Sequence, residues 1–281
     1  MNDHGGSAGL RWRLILLTAS ALAAGFLCSA AVFAKTSARS QSPSSGNTAH
    51  DPVAQTSSHV PDLSGNWAVR PGGTSWDPSD PGGKDPEHLP MTQWGLERLR
   101  AARPPFGAKQ TFDENDPHQR YCDPPGPLRM YSYPWQFTIV QTPTQVYMLF
   151  EYLHVWRGIA MNQTHPKDVD STWLGDSVGR YEGDTLIIDT IGYNDKTWLD
   201  MVGHPHSDQL HTIERLRRLD HDTLELELTI EDPKAYTQPF TSKKTFKLSS
   251  FPMGETMCSL SEDQSFQKKI MDPTVSAPSA K

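Results

Sequence analysis

Residues 223–230 read Thr-Leu-Glu-Leu-Glu-Leu-Thr-Ile and form the clearest strand signal in the chain. Apolar side chains alternate with polar ones, so that Leu224, Leu226, Leu228 and Ile230 share one face while Glu225, Glu227 and Thr229 share the other. A period of two is the side-chain period of a β-strand. The segment is therefore expected to lie with one face on a core and the other in water.

Similar β-prone runs lie on both sides of this strand, separated by turn signals. They span residues 66–70, 137–141, 145–152, 154–160, 176–180, 185–191, 211–219 and 242–248. Residues 208–218 could instead be helical, since Leu210 and Ile213 are three apart. Two helices are also predicted, one capped by Thr92 and stopped by Pro104, the other opening with a Ser259–Glu262 capping box. Eight or nine short strands with two short flanking helices predict a mainly β fold, either an antiparallel lipocalin-like (calycin-like) barrel or a β-sandwich.

The composition excludes several classes of protein. The 281 residues include 26 Lys and Arg against 33 Asp and Glu, a formal net charge of −7, with 9% aromatic residues and three cysteines. A net negative charge argues against a nucleic-acid partner, which normally meets a basic surface. The content of aromatic residues is too high for a fully disordered chain.

The N-terminus predicts export. Arg11 and Arg13 precede an apolar run at residues 14–27, and Val32-Phe33-Ala34 carries the small residues that signal peptidase requires. We therefore expect a signal peptide at residues 1–34, cleaved after Ala34, and a periplasmic or secreted mature protein without a membrane span. The mature chain then has 24 basic and 32 acidic residues, a formal charge of −8.

Removal of the signal peptide leaves two cysteines, Cys122 and Cys258. In an oxidising compartment a disulfide between them is the simplest expectation. Residues 35–60 are rich in Ser, Thr, Gln and Pro and predict a disordered linker, and residues 271–281 a disordered tail. A single β-rich domain is expected at residues 61–270.

Ionisable residues that interrupt apolar strands are the main candidates for catalysis. Glu151 and His154 follow the apolar run 146–150, and His211 and Glu214 lie in the segment 211–219. Alternation places Glu151 and Glu214 inside the barrel if their faces are the inner ones. Buried carboxylates are costly unless they are paired or functional, so an alternative role is a structural ion-pair network with Arg157, Arg215, Arg217 and His154 as the available partners. The sequence predicts proton transfer by Glu151, His154, His211 and Glu214.

The loop 193–200 is rich in side chains that orient ligands. Asp195, Lys196 and Trp198, with Arg157 and His206, are predicted to bind the substrate. Trp156, Trp173 and Tyr181 lie in neighbouring segments, and an aromatic lining suits an apolar or aromatic small molecule. No cofactor is predicted, although His206 and His211 are a weaker candidate pair for a metal ion.

The chain resembles a family of secreted bacterial proteins of unknown function across residues 61–270. The resemblance rests on the motifs PDLSG (61–65), EYxHxxR (151–157), WxGxSxGxxEGDTL (173–186), NDKTWLD (194–200) and HSDxLHxxER (206–215). It implies no reaction. Because His204 lies outside the family motif, the resemblance favours His206 and His211 over His204 as site residues.

The sequence therefore predicts an exported enzyme that acts on a small apolar or aromatic molecule by acid–base catalysis, of hydrolase, lyase or isomerase type. A non-catalytic barrel that binds small molecules and a histidine-based metalloprotein are the alternatives. The oligomeric state is left open.

Overall fold

The computed structural model describes residues 60–69, 73–105, 107–111 and 114–259. The expected signal peptide, most of the linker, the helix after Ser259 and the tail lie outside these residues. No helix in the described ranges has the length and apolar character needed to cross a bilayer.

Within the described residues, nine strands form a closed barrel, in which each strand pairs with its neighbours in sequence and β9 closes on β1. The strands are β1 (Gly65–Val69), β2 (Phe137–Gln141), β3 (Gln145–Phe150), β4 (Trp156–Met161), β5 (Asp176–Glu182), β6 (Thr185–Ile191), β7 (His211–Asp220), β8 (Thr223–Glu231) and β9 (Phe240–Leu248). The prediction of a mainly β fold is confirmed. Of the two predicted architectures, a barrel or a β-sandwich, the structure has the barrel. The alternation at 223–230 holds, because Leu224, Leu226, Leu228 and Ile230 are all fully buried.

One strand pair differs from the expected antiparallel pattern. β4 and β5 run parallel and share only two registered pairs, Ala160 with Val178 and Met161 with Gly179. A side chain at Gly179 would collide with Ile159 and Met161, since its Cβ would lie 2.7 Å from the Ile159 Cγ2 atom. Glycine at position 179 therefore allows β4 and β5 to approach closely where they pair. The preceding residues of these two strands are not paired with each other, and we call this boundary between β4 and β5 the seam.

In the part of the chain that the structure describes, three short helices accompany the barrel: α1 (Gln93–Ala101), α2 (Pro117–Tyr121) and α3 (Pro127–Met130). The predicted cap of α1 is confirmed, because the Gly95 amide donates to the Thr92 Oγ1 atom at 3.1 Å. α3 leads into Tyr131, which is fully buried against Phe137, Phe150 and Phe246. The Cys122–Cys258 disulfide is present and joins the end of α2 to the last described segment.

Candidate functional site

The barrel interior holds one of the predicted pairs, Arg157 and Glu214. Both side chains are buried, and the Arg157 Nη1 and Glu214 Oε1 atoms lie 2.7 Å apart. Tyr131 donates its hydroxyl to the Glu214 Oε2 atom at 2.8 Å. Arg157 also donates to the Ser177 and Thr190 hydroxyls, at 3.0 and 2.6 Å. The arrangement is a buried ion-pair network enclosed by hydroxyl groups.

The other predicted proton-transfer residues lie elsewhere. In β3 the buried residues are Val146, Met148 and Phe150, so the face that continues to Glu151 is the outer one. His154 is exposed in the β3–β4 connection, with its Nε2 atom 3.3 Å from the Gly254 carbonyl oxygen. His211 lies on the outer face of β7, because Thr212 and Glu214 occupy the inner positions. The structure therefore does not bring Glu151, His154, His211 and Glu214 into one site.

His211 belongs to a chain of imidazoles and carboxylates outside the barrel. Its Nε2 atom lies 2.9 Å from the Asp189 Oδ1 atom, and its Nδ1 atom 3.5 Å from Glu231. The Nε2 atom of His165 lies 3.3 Å from the same Asp189 oxygen. Within the described ranges, no group of three or more His, Cys, Asp or Glu side chains is placed to hold a metal ion.

Four of the predicted binding residues do line one cleft of about 220 Å³. They are Asp195, Lys196, Trp198 and His206. The opposite wall comes from α1 and the start of α2. The remaining lining residues are Trp94, Arg98, Ala101, Ala102, Asn115, Pro117, Thr197 and Pro205.

A tight backbone turn explains why Thr197 and His206 meet in this cleft. Trp198 forms an antiparallel bridge with Pro205, so the next pair in that register is Thr197 with His206. The Leu199 amide donates to the His204 carbonyl oxygen at 2.9 Å. Asp200 accepts hydrogen bonds from the Val202 and His204 amides within the turn, at 3.1 and 3.3 Å.

A buried charge pair stabilises the same turn. The His204 Nδ1 atom lies 2.6 Å from the Asp200 Oδ2 atom, and the His204 Nε2 atom lies 2.9 Å from the Pro86 carbonyl oxygen. Burial alone would lower the pKa of His204, but Asp200 outweighs burial and raises it. Since both ring nitrogens face acceptors, His204 is a charged structural residue of the turn.

His206 is held in one tautomer by its neighbours. The Nδ1 atom lies 3.1 Å from the Ser207 carbonyl oxygen, which can only accept, so Nδ1 carries the proton. The Nε2 atom then accepts from the Thr197 hydroxyl, at 2.6 Å from Oγ1. Burial lowers the pKa of His206 despite the nearby Ser207 carbonyl and Asp232 carboxylate. The ring is therefore neutral and basic at Nε2 at neutral pH.

Residues on both sides of His206 are anchored to the β8–β9 connection. Ser207 donates its amide and its hydroxyl to the Asp232 carboxylate, at 2.5 and 2.8 Å. Tyr236 donates its hydroxyl to the Pro205 carbonyl oxygen at 2.9 Å. Such support fixes the direction of the imidazole.

Each of the two tryptophans that line the cleft packs against an arginine. Arg98 lies 5.2 Å from the centre of the Trp94 ring, and Arg129 lies 5.4 Å from the centre of the Trp198 ring. Arg129 is itself buried and paired with both oxygens of Asp116. Arg98 and Lys196 are exposed, so they remain available to an anionic group of a ligand.

Sequence reasoning gave no role in the cleft to Thr197, nor to Trp94 and Arg98 of the opposite wall. Thr197 stands inside the quoted NDKTWLD motif, two residues before the turn, but no local pattern marks its hydroxyl as the partner of His206. The contact depends on the Trp198–Pro205 bridge, which the sequence does not reveal.

A second pocket, of about 400 Å³, lies where β4 and β5 are unpaired. Its walls are mostly apolar and include Val155, Trp156, Trp173 and Leu174, with Arg157 behind them. Trp156 is 61% exposed at its rim. The Lys196 Nζ atom lies 5.6 Å from the centre of the Trp173 ring. We call this feature the seam pocket.

Comparison with known proteins gives little further information. No protein-family model matches the chain. No curated protein sequence matches it either. Among solved structures, the chain is similar to a "REP1-NXSQ fatty acid transporter" with a TM-score of 0.27 and 10% identity, over 42% of this chain and 72% of that chain. A likeness at this level carries no argument about fold or function.

Proposed function

We propose that this protein is an exported hydrolase that cleaves a small ester in the cleft, with Thr197 as nucleophile and His206 as general base. The observation that carries the proposal is the 2.6 Å contact between the Thr197 Oγ1 and His206 Nε2 atoms. Acyl transfer uses a nucleophile that is hydrogen-bonded to a base, and a third group that orients the base. Here the Ser207 carbonyl is the group that orients His206.

The reaction follows from the protonation state of His206. Its Nε2 atom takes the Thr197 hydroxyl proton as Oγ1 attacks the ester carbonyl carbon. The tetrahedral intermediate collapses, the ester C–O bond breaks, and His206 returns the proton to the leaving alkoxide. Water, deprotonated by the same nitrogen, then attacks the acyl-threonine ester and releases a carboxylic acid and the free hydroxyl.

The cleft walls indicate which esters would fit. Trp94 and Trp198 offer aromatic surface, and a volume of about 220 Å³ suits a small body such as a single ring with short substituents. Arg98 and Lys196 favour a substrate or product that carries a negative charge. An aromatic or apolar body with an anionic end satisfies both features.

The disulfide supports export as part of the same proposal. Cysteine pairs persist in oxidising compartments and are rare in the cytosol. Together with the signal sequence expected at residues 1–34, the Cys122–Cys258 bridge favours a periplasmic or secreted enzyme.

Hydrolysis of a panel of p-nitrophenyl esters with acetyl, benzoyl and succinyl groups tests the proposal. Thr197→Val and His206→Gln should each lower kcat at least a hundredfold with folding intact by circular dichroism, whereas Thr197→Ser should keep measurable turnover. Thr245→Val and His221→Gln change exposed residues of the same types and are matched controls. Equal turnover by Thr197→Val and wild type would eliminate Thr197 as nucleophile.

The seam pocket favours a second candidate function, the binding of a small molecule without turnover. An apolar pocket of about 400 Å³ with aromatic walls has the character of a ligand site. Isothermal titration with p-nitrophenol and naphthalene carboxylates distinguishes the two functions. Tight binding of an aromatic ligand by an enzymatically inert protein favours the carrier role.

A further inference from the structure

Lys244 is a lysine on the inner face of the barrel wall. Ser242, Lys244 and Phe246 are the buried positions of β9, while Lys243 and Thr245 are exposed between them. The Lys244 side chain is only 8% exposed. Lysine is almost never this buried without a charged partner, so its surroundings call for an explanation.

Neutral groups hold the Lys244 amine. Its Nζ atom donates to the Gly73 and Ser75 carbonyl oxygens at 2.5 and 3.3 Å, and lies 4.3 Å from the centre of the Trp76 ring. The carboxylate that favours its charged form is Asp200, which is already paired with His204. Burial outweighs that attraction and lowers the pKa of Lys244 to about 8.

A pocket of about 380 Å³ gives access to this amine. Lys244 lines it together with Ser75, Asp77, Ser242 and Lys243. Asp77 is buried, with its Oδ2 atom 2.9 Å from the His88 Nδ1 atom. The pocket is distinct from both the cleft and the seam pocket, because no lining residue is shared with either.

We propose that Lys244 is a nucleophilic amine site, which condenses with the carbonyl group of a small aldehyde or ketone that enters this pocket. The unprotonated Nζ atom attacks the carbonyl carbon and forms a carbinolamine. The former carbonyl oxygen then leaves as water with both amine hydrogens, and a C=N bond joins Nζ to the ligand.

Lys243 offers a matched comparison within the same strand. It is exposed, and its Nζ atom lies 2.8 Å from Glu227, which raises its pKa. At pH 8 an amine with a pKa of about 8 is half unprotonated, against about 0.4% for an ordinary lysine with a pKa of about 10.4. Lys244 therefore has roughly a hundredfold more of the reactive form.

The experiment treats the full chain with acetaldehyde and sodium cyanoborohydride at pH 8, and maps ethylated lysines by mass spectrometry after cleavage at glutamate. We expect Lys244 to be modified at least tenfold faster than Lys243. In the peptide map, Lys244→Arg should remove the fast-labelled lysine of β9, and Lys243→Arg should retain it.

Equal rates at the two lysines, or labelling of Lys243 with Lys244 unmodified, would overturn the proposal. If Lys244→Arg does not fold, the ratio of the two sites in the wild-type protein decides alone. The outcome does not depend on ester hydrolysis in the cleft, since Lys244 does not line it.

Discussion

Arg157 and Glu214 form an ion pair inside the barrel, with the Arg157 Nη1 atom 2.7 Å from the Glu214 Oε1 atom. Both side chains are at most 2% exposed. Two desolvated charges are tolerable only when they compensate each other and their remaining hydrogen-bonding groups are satisfied. Glu214 accepts a hydrogen bond from Tyr131, and Arg157 donates hydrogen bonds to Ser177 and Thr190. The pair is therefore a structural element of the core.

Loss of one partner should therefore be severe. Glu214→Leu leaves the Arg157 guanidinium buried without a counter-charge, and we expect a loss of about 3–5 kcal/mol in the free energy of unfolding. The double variant Arg157→Met with Glu214→Leu should recover much of that loss, as a double-mutant cycle in urea would measure. Additive effects of the two single variants would argue against the pair.

The strands were predictable because the barrel imposes a period of two on each of them. The alternation at residues 223–230 appears as expected. The parallel pairing of β4 with β5 was not predictable, because the fourteen-residue connection 162–175 contains no helical pattern that would signal a crossover. Parallel direction is a property of the closed sheet and has no local signal.

The site was predictable in part. Asp195, Lys196, Trp198 and His206 were expected to bind a ligand, and they line one cleft. Glu151 was misplaced because its position inside the barrel depended on which face of β3 points inward, and Val146, Met148 and Phe150 occupy that face. The Thr197–His206 contact was missed because it results from backbone pairing across the turn at 199–204.

The disulfide should contribute strongly to stability. Cys122 and Cys258 are 136 residues apart in sequence. Closing so long a loop restricts the unfolded chain and stabilises the fold by about 4–5 kcal/mol on the chain-entropy account. The variant with Cys122→Ser and Cys258→Ser should show this loss in urea denaturation, and dithiothreitol should reproduce it in wild type but leave the variant unchanged.

Trp156 should matter for any aromatic ligand of the seam pocket. Its exposed ring stands at the rim, where stacking on a ligand is worth about 0.5–1.5 kcal/mol beyond burial. Trp156→Ala should weaken binding of 2-naphthoate by roughly three- to tenfold in isothermal titration. Phe251→Ala, which removes another exposed aromatic ring outside the pocket, is the control and should bind normally.

Ester hydrolysis should remain active in mildly acidic solution. His206 acts as a base only when neutral, and burial lowers its pKa below the ordinary value of 6.5. The rate should therefore stay level as the pH falls through 6.5 and decline only at lower pH. The pH profile of kcat/KM for a p-nitrophenyl ester measures this limb, and a decline centred above pH 6.5 would contradict the assignment of His206 as the base.

The pair of His204 and Asp200 should make stability depend on pH in a defined direction. Asp200 keeps the pKa of His204 above 6.5 in spite of burial, while His204 and the Trp76 and Val202 amides keep that of Asp200 below 3.8 in spite of burial. A histidine whose pKa is raised by folding contributes its full stabilisation at pH values below its pKa in the unfolded chain. That stabilisation is lost as the pH rises through its pKa in the folded protein. A carboxylate whose pKa is lowered by folding contributes its full stabilisation at pH values above its pKa in the unfolded chain, and loses it in acid.

The pair therefore stabilises the fold fully between about pH 4 and 6.5 and progressively less above that window. Urea denaturation of wild type and His204→Gln at several pH values measures this. The difference in unfolding free energy should be largest near pH 6 and should shrink towards pH 9. A difference in unfolding free energy that grows with pH would show that His204 is neutral in the folded protein. Because the turn that contains His204 also aligns Thr197 with His206, we expect His204→Gln to lower kcat as well.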